Sequence, residues 1–156
     1  MADGEPVARD TGGLADTSFF SKTYDEAYEL LVDARNYVSE TRSQHWDRPV
    51  LALVHSQETM RLTARVTHML AWLLTQRAVH SGEISAEDAT GPRYRLEGRE
   101  VCLDVGAENA PTMPEALRAL LARSRKLYQR VARLDDMMRR DRDARPFPFR
   151  PPLTLN

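Results

Sequence analysis

Apolar positions recur three and four residues apart over three long stretches of the chain, which is the spacing of one face of an α-helix. The first stretch begins at a capping box, Thr23-x-x-Glu26, and the third begins at a second one, Thr112-x-x-Glu115. The second stretch opens with Pro49, which a first helical turn tolerates. These signals predict three long helices, near residues 23–41, 49–81 and 113–140.

The third stretch has the most regular pattern, because its apolar positions alternate four and three residues apart like a coiled-coil seam. Leu121 and Tyr128 widen this seam on one side. The second stretch is apolar on more than one side around Trp72, so more than one neighbour should pack against it. We therefore expect Trp72 in the core, together with a seam formed by Leu117, Leu120, Ser124, Leu127, Val131, Leu134 and Met138.

Turn and cap signals organise the segment between the second and third helices. Gly82 is suited to a left-handed cap after the second helix, and Ser85-x-x-Asp88 begins a short extra helix. Residues 93–112 predict an irregular connection, within which the loose alternation of residues 99–105 suggests a short extended segment. The expected fold class is all-α, a bundle of three long helices with one short extra helix.

The two ends of the chain differ in composition from the bundle. Residues 1–20 contain few apolar side chains and predict a disordered arm, so the bundle domain is expected over residues 21–140. Residues 141–156 form a proline-rich tail that we expect to be flexible. Within it, Phe147, Phe149 and Arg150 have the composition of a short motif that docks in a partner's groove, although a frayed terminus is the other interpretation.

Composition and charge narrow the class of protein. The single cysteine, Cys102, excludes an internal disulfide, and we find no secretory signal and no run of about 18 apolar residues, so a cytoplasmic protein is expected. Residues 116–156 carry eleven Lys and Arg against four Asp and Glu. This basic third could attract an acidic partner or nucleic acid, or it could be a solvated helix face. A pI near 6.4 makes nucleic-acid binding the weaker interpretation.

No group of residues has the spacing that catalysis or metal binding requires. His55, His68 and His80 do not share a helix face, and no Cys–His cluster accompanies them. The neighbours Asp135 and Asp136 should point in different directions on a helix, which makes them a poor acid–base pair. We therefore expect no enzyme activity, with no catalytic, cofactor-binding or metal-binding residues.

Several short segments resemble a bacterial protein family, the regulator of CtrA degradation (RcdA) family, also known as a domain family of unknown function. The strongest is Trp72-Leu-Leu-x-Gln-Arg-Ala-Val-x-x-Gly-Glu-Ile84, preceded by Arg61-Leu-Thr-Ala-Arg65 and Tyr24-Asp-Glu-Ala-Tyr28. The resemblance covers roughly residues 18–140. It implies a dimeric helical bundle that is a non-enzymatic adaptor for the ClpXP protease of alphaproteobacteria.

The resemblance also implies partners. These are the ClpX unfoldase with a response-regulator-like priming partner, the cargo proteins, which are cell-cycle regulators, and a second copy of the chain. We expect the dimer to use apolar surface left over on the second and last helices. No membrane partner and no cofactor are implied, and the location is cytoplasmic, with concentration at a cell pole left open. The alternatives are a small nucleic-acid-associated regulator that uses the basic last helix, and a helical ligand-binding module.

Overall fold

The structure is a computed structural model that describes residues 12–144, with side chains from residue 18 onward except that of residue 142. Over these residues it contains helices and turns and no strand, which confirms the predicted all-α bundle. No helix in this part of the chain is both long and apolar enough to cross a membrane. The elements in chain order are α1 (Gly12–Thr41), α2 (Pro49–His80), α3 (Ala86–Ala89), a 3₁₀ turn (Pro92–Tyr94), α4 (Arg99–Leu103) and α5 (Glu115–Ala144).

Helix α1 begins earlier than the sequence predicted. It starts at Gly12, so residues 12–20 of the expected disordered arm are helical, while residues 1–11 lie outside the described part of the chain. The capping-box prediction for Thr23 was wrong: Thr23 is buried within α1, and its hydroxyl donates to the carbonyl oxygen of Phe19 at 2.9 Å. A threonine hydroxyl can be satisfied in this way inside a helix, so the same residue pattern does not mark a helix start.

Helices α1 and α2 form an antiparallel pair, and α5 completes the bundle. Tyr37 near the end of α1 contacts His55 near the start of α2, whereas Phe20 contacts His80 at the other end. All three long helices contribute fully buried apolar side chains, each of which stabilises the fold by about 1.5–3 kcal/mol when it leaves water. The most buried are Ala27, Leu30, Leu62, Met69, Leu117, Leu121, Tyr128 and Val131.

The buried face of α5 is rotated from the predicted seam. Leu117, Leu127 and Val131 are buried, but Leu120 and Leu134 are only partly buried at the edge of the core. Leu121 and Tyr128, which the sequence placed at the side of the seam, are instead fully buried at the centre of the packed face. The fully buried line along α5 is Leu117, Leu121, Ser124, Tyr128 and Val131.

The connection before α5 is more ordered than an irregular segment. Residues 99–103 form helix α4 rather than the extended segment that the alternation suggested, and Cys102 is fully buried beneath it. Side chains of α2 bind the carbonyl oxygens at the end of this short helix. Arg61 donates to Val101 O at 2.8 Å, and Arg65 donates to Cys102 O at 2.8 Å. These cations satisfy carbonyls that a helix C-terminus leaves without partners, so α4 is stable despite its length.

Arg65 links three parts of the fold from a position with no solvent exposure. Besides the α4 carbonyl, its guanidinium donates to Asp104 O at 2.7 Å, to Leu121 O on α5 at 2.9 Å and to Ser124 Oγ at 3.2 Å. Glu108 Oε2 lies 3.6 Å from Arg65 Nη1 and provides the opposite charge. Burial lowers the pKa of Arg65, and Glu108 opposes that change.

A second buried charge, Glu58 on α2, fixes the turn that follows α4. One carboxylate oxygen accepts a hydrogen bond from Ala107 N at 3.0 Å, and the other accepts from Arg61 Nε at 3.1 Å. Gly106 lies against this pair with a φ of 58°. A Cβ atom at Gly106 would lie 2.5 Å from Glu58 Oε1 and 2.7 Å from Arg61 Nη2. Only glycine therefore fits at this position without displacing the ion pair.

Replacing Gly106 by alanine should destabilise the protein more than the same change at Gly82. Both glycines have positive φ, and that strain costs about 1–2 kcal/mol at either position. A Cβ at Gly82 would meet no atom within 4 Å, whereas at Gly106 it would also displace the Glu58–Arg61 pair, at a further cost of about 1–3 kcal/mol. Urea unfolding of Gly106→Ala and Gly82→Ala measures the difference, and equal losses would show that the turn does not depend on the ion pair.

Candidate interaction surfaces

A wide groove lies between α1 and α2. Its volume is about 830 Å³, and Leu31, Val38 and Trp46 line it together with Met60. Met60 is 72% exposed, although it is a large apolar side chain in the middle of a helix. Arg35 and Arg42 also line the groove, and its lining includes no carboxylate. A concave surface with exposed apolar side chains is typical of a protein-binding site.

The floor of this groove is fixed by an aromatic and polar contact between α1 and α2. Tyr37 Oη and His55 Nε2 are 2.8 Å apart in a buried hydrogen bond. The ring of Trp46, in the loop between the two helices, lies 4.7 Å from the His55 ring. Burial lowers the pKa of His55 and raises that of Tyr37, so both side chains are neutral at pH 7. The neutral pair holds the loop against the helices without a buried charge.

Trp72 is 3% exposed, and its indole is tied to α5. Its Nε1 donates to Asp135 Oδ1 at 2.9 Å. Asp135 also accepts from Arg139 Nη2 at 3.0 Å and from Arg99 Nη2 at 2.9 Å. Burial is the largest single influence on the pKa of Asp135 and raises it, but the hydrogen bonds from Arg139 and Trp72 together hold this pKa below its ordinary value. Asp135 is therefore an ionised hub between α2, α4 and α5.

Asp136 completes a polar cleft beside this hub. The side chains of Asp135 and Asp136 leave α5 in different directions, because that of Asp135 is 5% exposed and that of Asp136 is 43% exposed. Arg99 Nη2 nonetheless lies 2.9 Å from an oxygen of each. One guanidinium reaches both carboxylates from α4, which the helix periodicity of α5 alone does not show. The cleft, about 490 Å³, is also lined by Arg95, Leu96, Gly98 and Val101. Since Arg99 already occupies both carboxylates, they form a structural contact.

The remaining candidate residues have separate positions. The predicted tail residues Phe147, Phe149 and Arg150 lie outside the described part of the chain. Gln76 is buried, and the guanidinium of Arg77 lies 5.8 Å from the Tyr24 ring centre. Over residues 18–141, no group of three or more His, Cys, Asp or Glu side chains is placed to hold a metal ion.

The sequence did not identify the residues that shape these surfaces. Arg65 and Glu58 fall on the apolar face of α2, and a charge on such a face is a signal of a buried ion pair. Their partners include Cys102 and Ala107, which lie far along the chain. Trp46 and His55 belong to no sequence motif or periodic pattern that would predict their contact. Their contact depends on how tightly the loop after α1 turns, which side-chain spacing does not encode.

The helical bundle and its surface grooves define an all-α class of protein, and comparisons with known proteins identify the family. The family model described as "Protein of unknown function (DUF1465)" matches residues 12–152. The chain belongs to this family.

Among solved structures, this chain is similar to the crystal structure of RcdA from Caulobacter crescentus CB15. The two sequences are 32% identical, the match covers 76% of this chain and 89% of that chain, and the TM-score is 0.59. The comparison confirms the predicted resemblance to the RcdA family. No match was found among the curated proteins.

The ion pairs of Asp135 should make stability depend on pH in the acid range. Because the pKa of Asp135 is lowered in the folded protein, its contribution is complete above the unfolded value of about 3.9 and is lost as the pH falls through the folded value. Asp135→Asn should cost about 2–4 kcal/mol at pH 7, and the gap to the wild type should narrow below about pH 4.

Asp136→Asn is the matched control, because the side chain of Asp136 is 43% exposed and shares the same arginine. It should cost less than about 1 kcal/mol. Urea unfolding at several pH values measures both variants. A loss for Asp135→Asn that equals the loss for Asp136→Asn, or a gap that stays constant down to pH 3, would show that Asp135 is not the ionised hub.

Proposed function

We propose that this protein is a non-enzymatic adaptor that helps to deliver cell-cycle regulatory proteins to the ClpXP protease. The observation that carries the proposal is the similarity to RcdA over most of both chains. The segments around Arg65 and Trp72, which resemble the RcdA family in sequence, contribute buried contacts that hold α2 against α5. Exposed apolar side chains in an open groove also favour a protein-binding function.

An adaptor of this kind acts by effective concentration. One contact with the ClpX unfoldase, primed by a response-regulator-like partner, and a second contact with a cargo protein hold the two close together. Two weak contacts on one rigid scaffold are sufficient, because the second binding step becomes intramolecular. The rigid part is the bundle of α1, α2 and α5, and the expected location is the cytoplasm, with concentration at a cell pole still open.

We further propose that the adaptor is a homodimer that uses the α1–α2 groove. The sequence suggested leftover apolar surface on the second and last helices, but the structure places most of it on α1 and α2. Among the described residues of α5, the large apolar side chain that is exposed is Met137, so this helix contributes little apolar surface. On α1 and α2 the exposed ones include Leu31, Val32, Val38, Val50, Leu53, Met60 and Leu74.

A charge in the middle of the groove should prevent dimer formation. Met60→Glu places an unpaired carboxylate where two apolar surfaces would meet, and burying such a charge costs several kcal/mol. Light scattering should give about twice the chain mass for the wild type and the single-chain mass for this variant. Val101 on α4 is another exposed apolar side chain, so Val101→Glu is the control and should remain dimeric. A monomeric wild type, or a dimeric Met60→Glu, would contradict the proposed interface.

The delivery function is tested by reconstituted degradation with purified ClpXP, the priming partner and a fluorescent cargo. Addition of this protein should speed degradation of at least one cell-cycle regulator and leave an unrelated ClpXP substrate unchanged. A chain that ends at Ala144 tests the proposed contact through Phe147, Phe149 and Arg150, and it should deliver that cargo more slowly. No acceleration of any cargo would contradict the adaptor function, and equal delivery by the shortened chain would contradict only the tail contact.

The two other functions that the sequence allowed have less support. Four arginines of α5, Arg123, Arg125, Arg130 and Arg139, pair with carboxylates of the same chain, which reduces the positive charge that α5 offers to nucleic acid. A ligand-binding module needs space between its helices. The long helices instead pack directly on each other, and the cavities in the described part of the chain are surface grooves.

A further inference from the structure

The face of α5 opposite the core has a line of basic side chains. At about 100° per residue, Arg118, Lys126, Arg133 and Arg140 fall within about 80° of one another and opposite the buried line of Leu117 and Val131. All four are exposed, and they extend over about 33 Å of helix. We call these four residues the basic stripe.

The cations on the sides of α5 are neutralised within the chain. Arg123 contacts Glu29 and Asp33 of α1, and Arg130 contacts Glu26. Arg125 binds Glu108 before α5, and Arg139 binds Asp135 one turn earlier. Carboxylates of the same chain therefore pair with the cations on the sides of α5. The four cations of the basic stripe are not among these pairs.

No residue of the basic stripe forms an ion pair with a described side chain. In this respect the stripe differs from Arg123, Arg125, Arg130 and Arg139 of the same helix. Asp136 also lies on this outer face, but Arg99 holds its carboxylate at 2.9 Å. Met137 lies between Arg133 and Arg140 and is 57% exposed. The outer face thus combines one exposed apolar side chain with four cations that have no ion pair among the described residues and lie eight, seven and seven residues apart.

We propose that the basic stripe docks an acidic α-helix of a partner protein, with carboxylates near every seventh position and an apolar side chain that meets Met137. Two helices that lie side by side present side chains to each other at this interval, because seven residues make about two turns. Each carboxylate would find an unpaired cation, and the attraction would both steer the encounter and fix the register of the two helices. The inference does not depend on the proposed adaptor function.

The charge around the stripe favours a short acidic helix over nucleic acid. The whole chain has a net charge of −1, so the surface outside the basic stripe is net acidic. A long polyanion that extends past the stripe meets this net acidic surface and is repelled, whereas a helix of about 33 Å ends where the stripe ends.

The test uses a fluorescein-labelled alanine-based helical peptide of about 24 residues, which matches the stripe in length. It carries Glu at every seventh position and one Leu between two of them, and a second peptide has Gln for each Glu. Anisotropy should show binding of the Glu peptide to the full chain, weaker binding at higher salt, and little binding of the Gln peptide. Lys126→Glu, Arg133→Glu and Arg140→Glu together should weaken binding at least about tenfold, since three attractions become repulsions.

Two controls separate the stripe from net charge and from folding. Lys22, Arg48 and Arg95 are exposed cations that form no ion pair with a described side chain, and changing all three to Glu makes the same change in net charge. That variant should bind the Glu peptide within about threefold of the wild type, because screening limits distant charges. If the stripe variant melts early, the milder triple change to Gln replaces it. A peptide with Lys for each Glu should bind the Glu stripe variant and restore the lost affinity.

The outcomes decide between partner classes. Selective loss in the stripe variant with recovery by the Lys peptide supports the proposal. Equal loss in the Lys22, Arg48 and Arg95 variant would overturn it, since net charge alone would then explain binding. Absence of binding to the Glu peptide at low salt would also overturn it. Tighter binding of a duplex DNA of about the same length, lost in the stripe variant, would assign the surface to nucleic acid instead.

Discussion

The buried guanidinium of Arg65 is the interaction on which the rest of the structure depends. An isolated charge inside a bundle would cost several kcal/mol, so each of its donors needs a partner. Those partners are the carbonyl oxygens of Cys102, Asp104 and Leu121, with Ser124 Oγ, at 2.7 to 3.2 Å. Cys102 and Asp104 lie at the end of α4, and Leu121 lies on α5. If α4 moved away from α2, the guanidinium and these carbonyl oxygens would therefore lose their hydrogen bonds together.

Two further contacts extend this constraint to the two ends of the bundle. At one end the indole of Trp72 and the guanidinium of Arg99 meet at Asp135, which fixes the rotation of α5 about its axis. At the other end Tyr37 and His55 fix the loop between α1 and α2. The outer face of α5 and the groove between α1 and α2 are therefore both held by polar contacts in the interior. A rigid scaffold with separate surfaces is what an adaptor requires.

The sequence predicted the parts of the fold that depend on local periodicity. The three long helices, the Gly82 cap and the short helix after Ser85 were predicted, because each follows from side-chain spacing or from a residue suited to positive φ. The rotation of α5 and the helical form of residues 99–103 were not predicted. Arg65 donates a hydrogen bond to Leu121 O, 56 positions away, and Asp135 accepts one from Arg99, 36 positions away. Both features depend on such contacts, which no local pattern contains.

The candidate surfaces show the same division. Leftover apolar surface was expected, but its place on α1 and α2 depends on which side α5 covers. The basic third of the chain was visible in the composition, while the separation of its paired cations from the unpaired ones required the positions of Glu26, Asp33 and Glu108. Charge counts show how many cations exist, and only the fold shows which of them are free.

The most direct test of the account is the free energy of unfolding of Arg65→Met, compared with Arg65→Lys, in urea. Methionine fills a similar volume but leaves the carbonyl oxygens of Cys102, Asp104 and Leu121 without their donor and removes one of the two cations beside Glu108, so a loss of about 3–5 kcal/mol is expected. Lysine keeps the charge but lacks the planar fork that reaches Cys102 O, Asp104 O and Leu121 O together, so it should recover only a small part of that loss. A stability within about 1 kcal/mol of the wild type for Arg65→Met would contradict the claim that this side chain holds the bundle together.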